Sequence, residues 1–183
     1  MSLARISLLS IVWLTGLLVS CDEPGDSGAA EARSLAPTNT GADLLPRSPE
    51  LAEYPEAEPG DALGALLLDR ARTFARHLEA DGDISRGSVR RSAHAEHFFV
   101  AEGGRCYQVF GASVEGVRDL DLLLFDEGMT LVQQDSTPDA TPMLGLTSPI
   151  CPRQTVRYRV RVRAFRGEGE YGLLVTRTAP HLF

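Results

Sequence analysis

Nine residues near the end of the 183-residue chain alternate without a fault. In Val156-Arg157-Tyr158-Arg159-Val160-Arg161-Val162-Arg163-Ala164, apolar or aromatic residues take the even positions and arginine the odd ones. Period two is the signature of a β-strand, whose successive side chains point to opposite faces of a sheet. Wound as a helix, the same residues would scatter arginine around the whole circumference and leave no apolar stripe. The stretch is therefore expected to be a strand with a buried Val/Tyr/Ala face and four arginines facing out, the pattern of an antiparallel sheet with one solvated side. Such a strand needs hydrogen-bonding neighbours and a second layer against its apolar face.

The preceding and following residues supply them. Further strand candidates lie at residues 97–100, 106–110, 119–125, 130–134, 143–146 and 171–176, separated by turns rich in Gly, Pro and Asp. Short strands at intervals of about 8–12 residues argue a β-sandwich, so residues 83–183 are expected to form one. Residues 61–82 read as a single amphipathic helix. Pro59-Gly60-Asp61 offers a stop and an N-cap, and Leu63, Leu67, Ala71, Phe74 and Leu78 recur at three- and four-residue spacing. Leu66 widens that stripe and Gly82 offers the end. The opposite side mixes Asp69 with Arg70, Arg72 and Arg76, so the helix is expected to dock on its own domain rather than on a partner helix or a bilayer.

Residues 21–60 have a different composition. Positions 22–60 hold six of the eleven prolines, and apolar residues recur there at no period. Such a segment cannot bury enough surface to offset its ordering entropy, so a disordered, extended tether is expected. Residues 22–61 carry ten acidic residues against Arg33 and Arg47, a balance of −8. Residues 62–183 are neutral, with fifteen acids and fifteen arginines, and the chain has no lysine. Neither part has the basic excess that nucleic-acid binding requires, and that class is excluded.

At the other end, an apolar run begins at Ile6 after the single charge of Arg5 and closes on Leu18-Val19-Ser20-Cys21. It is shorter than the roughly 20 apolar residues of a membrane-spanning helix and has the make-up of an export signal over residues 1–20. Leu-Val-Ser-Cys resembles the bacterial lipobox. That resemblance implies that Cys21 is diacylated, becomes the mature N-terminus and fastens the protein to a membrane of the bacterial cell envelope, facing the periplasm or the exterior. Asp22 resembles the inner-membrane retention signal of enteric bacteria, which leaves the choice between inner and outer membrane open. With Cys21 consumed by lipid, Cys106 and Cys151 remain as a pair in an oxidising compartment. Their bridge would close a loop of about 45 residues, worth on the order of 4 kcal/mol.

Residues 84–178 taken together resemble the bacterial pre-peptidase C-terminal domain, on three groups of residues. Asp119-Leu120-Asp121-Leu122-Leu123-Leu124-Phe125-Asp126 looks like that family's Asp-Leu-Asp strand, and Gln134-Asp135 with Pro142 like the segment after it. Tyr158-Arg159-Val160-Arg161-Val162 with Gly167 and Gly169-Glu170-Tyr171 is similar to its closing hairpin. The resemblance implies a jelly-roll-like antiparallel β-sandwich and an accessory or binding role, although no catalytic domain accompanies it here.

Two constellations are candidates for a site. Asp119 and Asp121 project to one face of their strand and could offer carboxylates to calcium, which needs six to eight oxygens; the alternative is pairing with arginine or capping a turn. Arg157, Arg159, Arg161 and Arg163 stand about 6.7 Å apart along one face and could grip the anionic groups of a glycan or protein partner; the alternative is a solvated face paired with acids on neighbouring strands. Gly167-Glu168-Gly169-Glu170-Tyr171-Gly172 matches a dinucleotide-binding pattern by letter, but a strand follows where a helix is required. His94 and His97 have an odd spacing that points them to opposite faces of a strand, no nucleophile motif surrounds Ser88, Ser92 or Ser113, and no Gly-x-Ser-x-Gly occurs. The expectation is a non-catalytic, lipid-anchored envelope module contacting protein or glycan, with no cofactor apart from the calcium alternative. The other reading is an accessory subunit of a separately encoded secreted hydrolase.

Overall fold

The computed structural model describes residues 51–179; the expected signal peptide, Cys21 and the tether through residue 50 lie outside the described residues. In chain order the elements are α1 (Ala62–Phe74), β1 (Leu78–Ala80), β2 (Ser85–Val89), β3 (His94–Ala101), β4 (Tyr107–Ala112), β5 (Val117–Phe125), β6 (Leu131–Asp135), β7 (Met143–Leu144), β8 (Val156–Gly167) and β9 (Gly169–Thr178). The strands form two antiparallel sheets. The first runs β1-β9-β4-β7, with β2 also paired to β9, and the second runs β3-β8-β5-β6. This is the expected β-sandwich preceded by one helix.

The alternating stretch became β8, flanked in the second sheet by β3 and β5. Tyr158, Val160, Val162 and Ala164 point inward, where they meet Leu120, Leu122 and Leu124 of β5 in one buried cluster. Tyr107 and Val109 of β4 and Tyr171 and Leu173 of β9 complete that cluster from the first sheet. Alternation along β4 and β9 then turns Phe110, Ala112 and Leu174 to the other side, where they pack with Leu63, Leu67, Leu68 and Ala71 of α1. The molecule is thus layered as helix, sheet, sheet. Gly172 permits the close approach of α1, because a Cβ there would fall 2.8 Å from a Leu67 methyl.

The helix is shorter than its apolar period predicted. Asp61 caps it as expected, accepting the Gly64 N–H at 2.9 Å. It ends at Phe74 instead of running to Gly82, and its buried set includes Leu68, whereas Phe74 stays exposed. Leu78, which fits the helical stripe, instead pairs with Thr178 at the start of β1. Ladder bonds to β9 outweigh a weak local preference, as tertiary context commonly does. Neither β1 nor β2 is among the strand candidates: Leu78-Glu79-Ala80 falls in the expected helix, and Ser85-Arg86-Gly87-Ser88-Val89, within the residues expected to form the sandwich, has a single large apolar residue; both are recruited by β9.

The end of the expected tether is also folded. Residues 51–60 have no regular secondary structure but pack along α1. The Ala52 N–H donates to the Arg76 carbonyl at 2.9 Å, the Tyr54 hydroxyl to that of Ala75 at 2.9 Å, and an Arg72 N–H to that of Pro55 at 2.7 Å. Tyr54 is buried, and burial pushes its phenol up to about 12. One aromatic ring among prolines and glutamates outweighs the polar composition around it.

Candidate functional site

The outer face of the second sheet carries every arginine singled out in β8. Register sets Val100, Phe98, Glu96 and His94 of β3 opposite Arg157, Arg159, Arg161 and Arg163 respectively. On the other edge, Phe125, Leu123 and Asp121 of β5 lie opposite Arg159, Arg161 and Arg163. The row is therefore interleaved with aromatics and acids from both neighbouring strands.

Its members are not equivalent. Glu96 takes both central arginines, at 3.3 Å from Arg159 and 3.0 Å from Arg161, and the Arg161 hydrogen bond holds its carboxyl below the usual range. Among the described residues, Arg157 and Arg163 have no carboxylate within the 4.0 Å salt-bridge distance. Each guanidinium lies against a ring: Arg157 is 4.3 Å and Arg159 5.3 Å from the Phe98 centroid, Arg161 4.9 Å from Phe125, and Arg163 5.5 Å from Phe165. Such stacking holds an arginine in place without neutralising it. Phe98, Val100 and Phe165 are 48%, 55% and 48% exposed, so large apolar side chains stand in solvent between the charges. Beside Phe98, a depression of about 280 Å³ is lined by Arg157, Arg159, Asp126 and Glu127. Guanidinium donors, an aromatic ring and carboxylate acceptors thus share one shallow surface. Arginine and aromatic residues are the types enriched at protein interfaces.

Asp119 and Asp121 lie on this sheet too, at 5% and 6% exposure. Arg166 reaches Asp119 at 4.0 Å, and Arg163 stands opposite Asp121 in the ladder. Burial pushes the Asp121 carboxyl up, and Asp119 adds to that while Arg163 opposes it. The other aspartates near these strands are engaged elsewhere. Asp126 accepts the Thr130 N–H at 2.8 Å, and Asp135 accepts those of Thr137 at 2.9 Å and Met143 at 2.8 Å. Among the described residues no three His, Cys, Asp or Glu side chains gather as metal ligands do.

The remaining candidates separate. Cys106 and Cys151 are disulfide-bonded, joining the residue before β4 of the first sheet to the approach to β8 of the second. His94 is exposed on the outer face, while His97 points inward, with Nε2 2.6 Å from the Tyr171 hydroxyl. Residues 167–172 form the tight β8–β9 connection and the first residues of β9, with positive φ at Gly167 and Gly169. Glu96, Phe98, Phe125 and Phe165 were not anticipated as members of the face. Glu96 and Phe98 share the period of their strand, but which residue meets which arginine is a matter of register that no single strand encodes.

No protein-family model matches the chain, and no curated protein matches it. Among the described residues no helix is long and apolar enough to cross a membrane.

Proposed function

We propose that the protein is a lipid-anchored, non-catalytic module of the bacterial cell envelope that contacts an envelope protein or glycan through the outer face of its second sheet. The observation that carries this reading is the company of Arg157 and Arg163, which have no carboxylate within 4.0 Å among the described residues, with exposed Phe98, Val100 and Phe165 on that face. The Cys106–Cys151 bond supports an oxidising compartment, and the lipobox-like Leu18-Val19-Ser20-Cys21 supports the anchor. Two substitutions test the two halves separately. Cys21→Ser is expected to free the protein from membrane fractions of its host, and detergent-dependent recovery of the variant would refute the anchor. Phe98→Ser with Arg157→Glu is expected to lower mild-crosslinking recovery of the partner at least tenfold while leaving the melting temperature nearly unchanged. Undiminished crosslinking would refute the face.

A second reading is favoured by one observation, the nearly buried Asp119 and Asp121 carboxylates. In it the protein, akin to pre-peptidase C-terminal domains, is an accessory subunit of a separately encoded secreted hydrolase. Calcium would stiffen the domain at this pair, completed by carbonyl oxygens and water. Millimolar calcium should then raise the melting temperature of wild type but not of Asp121→Asn; equal curves with and without calcium would remove the metal from this reading.

A further inference from the structure

Both sheets end in edge strands, and one of these edges is long and bare. In the first sheet the edges fall to β1, β2 and β7, of three, five and two residues. In the second, β6 has five residues, and its side chains hold residues 143–148 alongside it. Asp135 accepts the Met143 N–H at 2.8 Å, Gln133 Oε1 accepts that of Gly145 at 2.8 Å, and Gln133 Nε2 donates to the Ser148 carbonyl at 3.2 Å. The opposite edge is β3. Its eight residues pair with β8 without a register shift, and among the described residues no backbone hydrogen bond reaches it from the other side. Alternate residues of such a strand turn their N–H and C=O groups away from the neighbour, so a row about 26 Å long is left unpaired. Natural edges are blunted by lysine, proline, bulges or brevity, and β3 has none of these.

The side chains beside this edge define what fits along it. Phe98 and Val100 are exposed on its outer side, and Ala95 and Phe99 are half-buried on its inner side. A strand added here would find apolar neighbours on both faces. Arg157 leans from β8 across β3: its guanidinium lies 4.3 Å from the Phe98 centroid, while Glu127 takes only its peptide N–H, at 3.1 Å. A cation without a carboxylate of its own among the described residues thus stands where an outward side chain of the next strand would pass. Glu96, the one acid of β3, is held by Arg159 and Arg161, so a second copy of β3 would bring no free carboxylate to Arg157. With the outer face as the contact surface, on which this step rests, we propose that an extended segment of a partner protein adds to β3 as a fifth strand of the second sheet. Its apolar residues face inward and an acidic residue faces outward against Arg157. Main-chain hydrogen bonds supply the affinity and the alternate side chains the selectivity.

The test uses the full chain and a synthetic octapeptide, acetyl-Thr-Val-Glu-Val-Thr-Val-Thr-Val-amide, with valine on one face and a single acid on the other. Its binding is expected to slow amide hydrogen exchange at alternate residues of β3 at least roughly tenfold. The same peptide with lysine for glutamate should bind about tenfold more weakly, and Arg157→Glu should reverse that preference. The glutamate peptide N-methylated at every amide should not bind. The proposal is overturned if β3 exchange is unchanged at millimolar peptide, or if the N-methylated peptide binds as well as the parent. It is also overturned if β3 exchange slows with protein concentration alone, which would put a second copy on the edge. Binding of polygalacturonate but not of the peptide would overturn it too, and would assign the face to a glycan. Loss of partner crosslinking in Phe98→Ser/Arg157→Glu with unchanged β3 exchange sinks strand addition and spares the face, whereas undiminished crosslinking sinks both.

Discussion

The sandwich has two outer faces, and the chain treats them oppositely. On the first sheet, Phe110, Ala112 and Leu174 point outward into a helix, and Gly172 gives up its side chain so that Leu63 and Leu67 can come close. On the second, four arginines face outward with Phe98, Phe125 and Phe165 beside them, and Glu96 supplies the only ion pairs of those four among the described residues. A sheet face becomes a core layer when its outward residues are small or aliphatic and a neighbour in sequence can lie across it. When those outward residues are long and charged, they stay wet, and the face is free to meet something else. Stability is therefore concentrated on one side of the molecule and available contact surface on the other.

The sharpest way to break this contrast is Leu67→Ala. It removes a fully buried side chain from the helix–sheet layer and is expected to cost about 2–5 kcal/mol in denaturant unfolding. A loss below 1 kcal/mol would mean that α1 is only an ornament on that sheet. Gly172→Ala pushes a methyl toward Leu67 from the sheet side, and overpacking of this kind costs about 1–3 kcal/mol. Unchanged stability there would show that the helix is free to shift outward.

Between the layers, His97 on β3 meets Tyr171 on β9, and burial holds its imidazole below the ordinary histidine value. The unfolded chain then binds a proton more readily than the fold does. The contribution of His97 is complete above the unfolded value, near pH 6.5, and is lost as pH falls toward the lowered folded value. Melting curves taken from pH 7.5 to 5 should show a smaller decline for His97→Gln than for wild type, and parallel declines would remove His97 as a link between the sheets. For Asp121 the sign is reversed. Its raised folded value means that the fold binds the proton more tightly, so stability falls as pH rises past the ordinary carboxylate range. Asp121→Asn is expected to melt about 1–3 °C higher at pH 7, with the gain vanishing near pH 4. The smallest effect is assigned to the open face: Arg163→Ser should change unfolding by no more than about 0.5 kcal/mol. A loss as large as that of Leu67→Ala would show that the second face is structural after all.

Much of this was legible in the residues because strand alternation is strong where one face is buried. The β8 row, the inward Val/Tyr/Ala set and the helix cap at Asp61 could all be read from spacing alone. The missing parts share a cause. Leu78 kept helical spacing yet joined β9, Tyr54 folded a proline-rich stretch onto α1, and β2 carries almost no apolar residues of its own. In each case the deciding partner lies far away in sequence, and a local pattern has no access to it. The candidate face was half legible for the same reason. Four arginines announce themselves, whereas Glu96 and the rings that stack on them are chosen by pairing between strands.

Among the described residues β9 is the last strand in chain order yet borders three others: β1 and β2 share one of its edges and β4 takes the other. Until synthesis passes residue 178, the three have no common neighbour, and their inward residues and the helix above them lack a floor. Incomplete chains must therefore keep apolar β-segments exposed, the situation in which nascent proteins aggregate and holding factors are needed. Closure joins residues up to about a hundred positions apart, as in Leu78 with Thr178. Long-range pairing of this kind makes for slow folding, so this domain is expected to assemble late and at once rather than piece by piece.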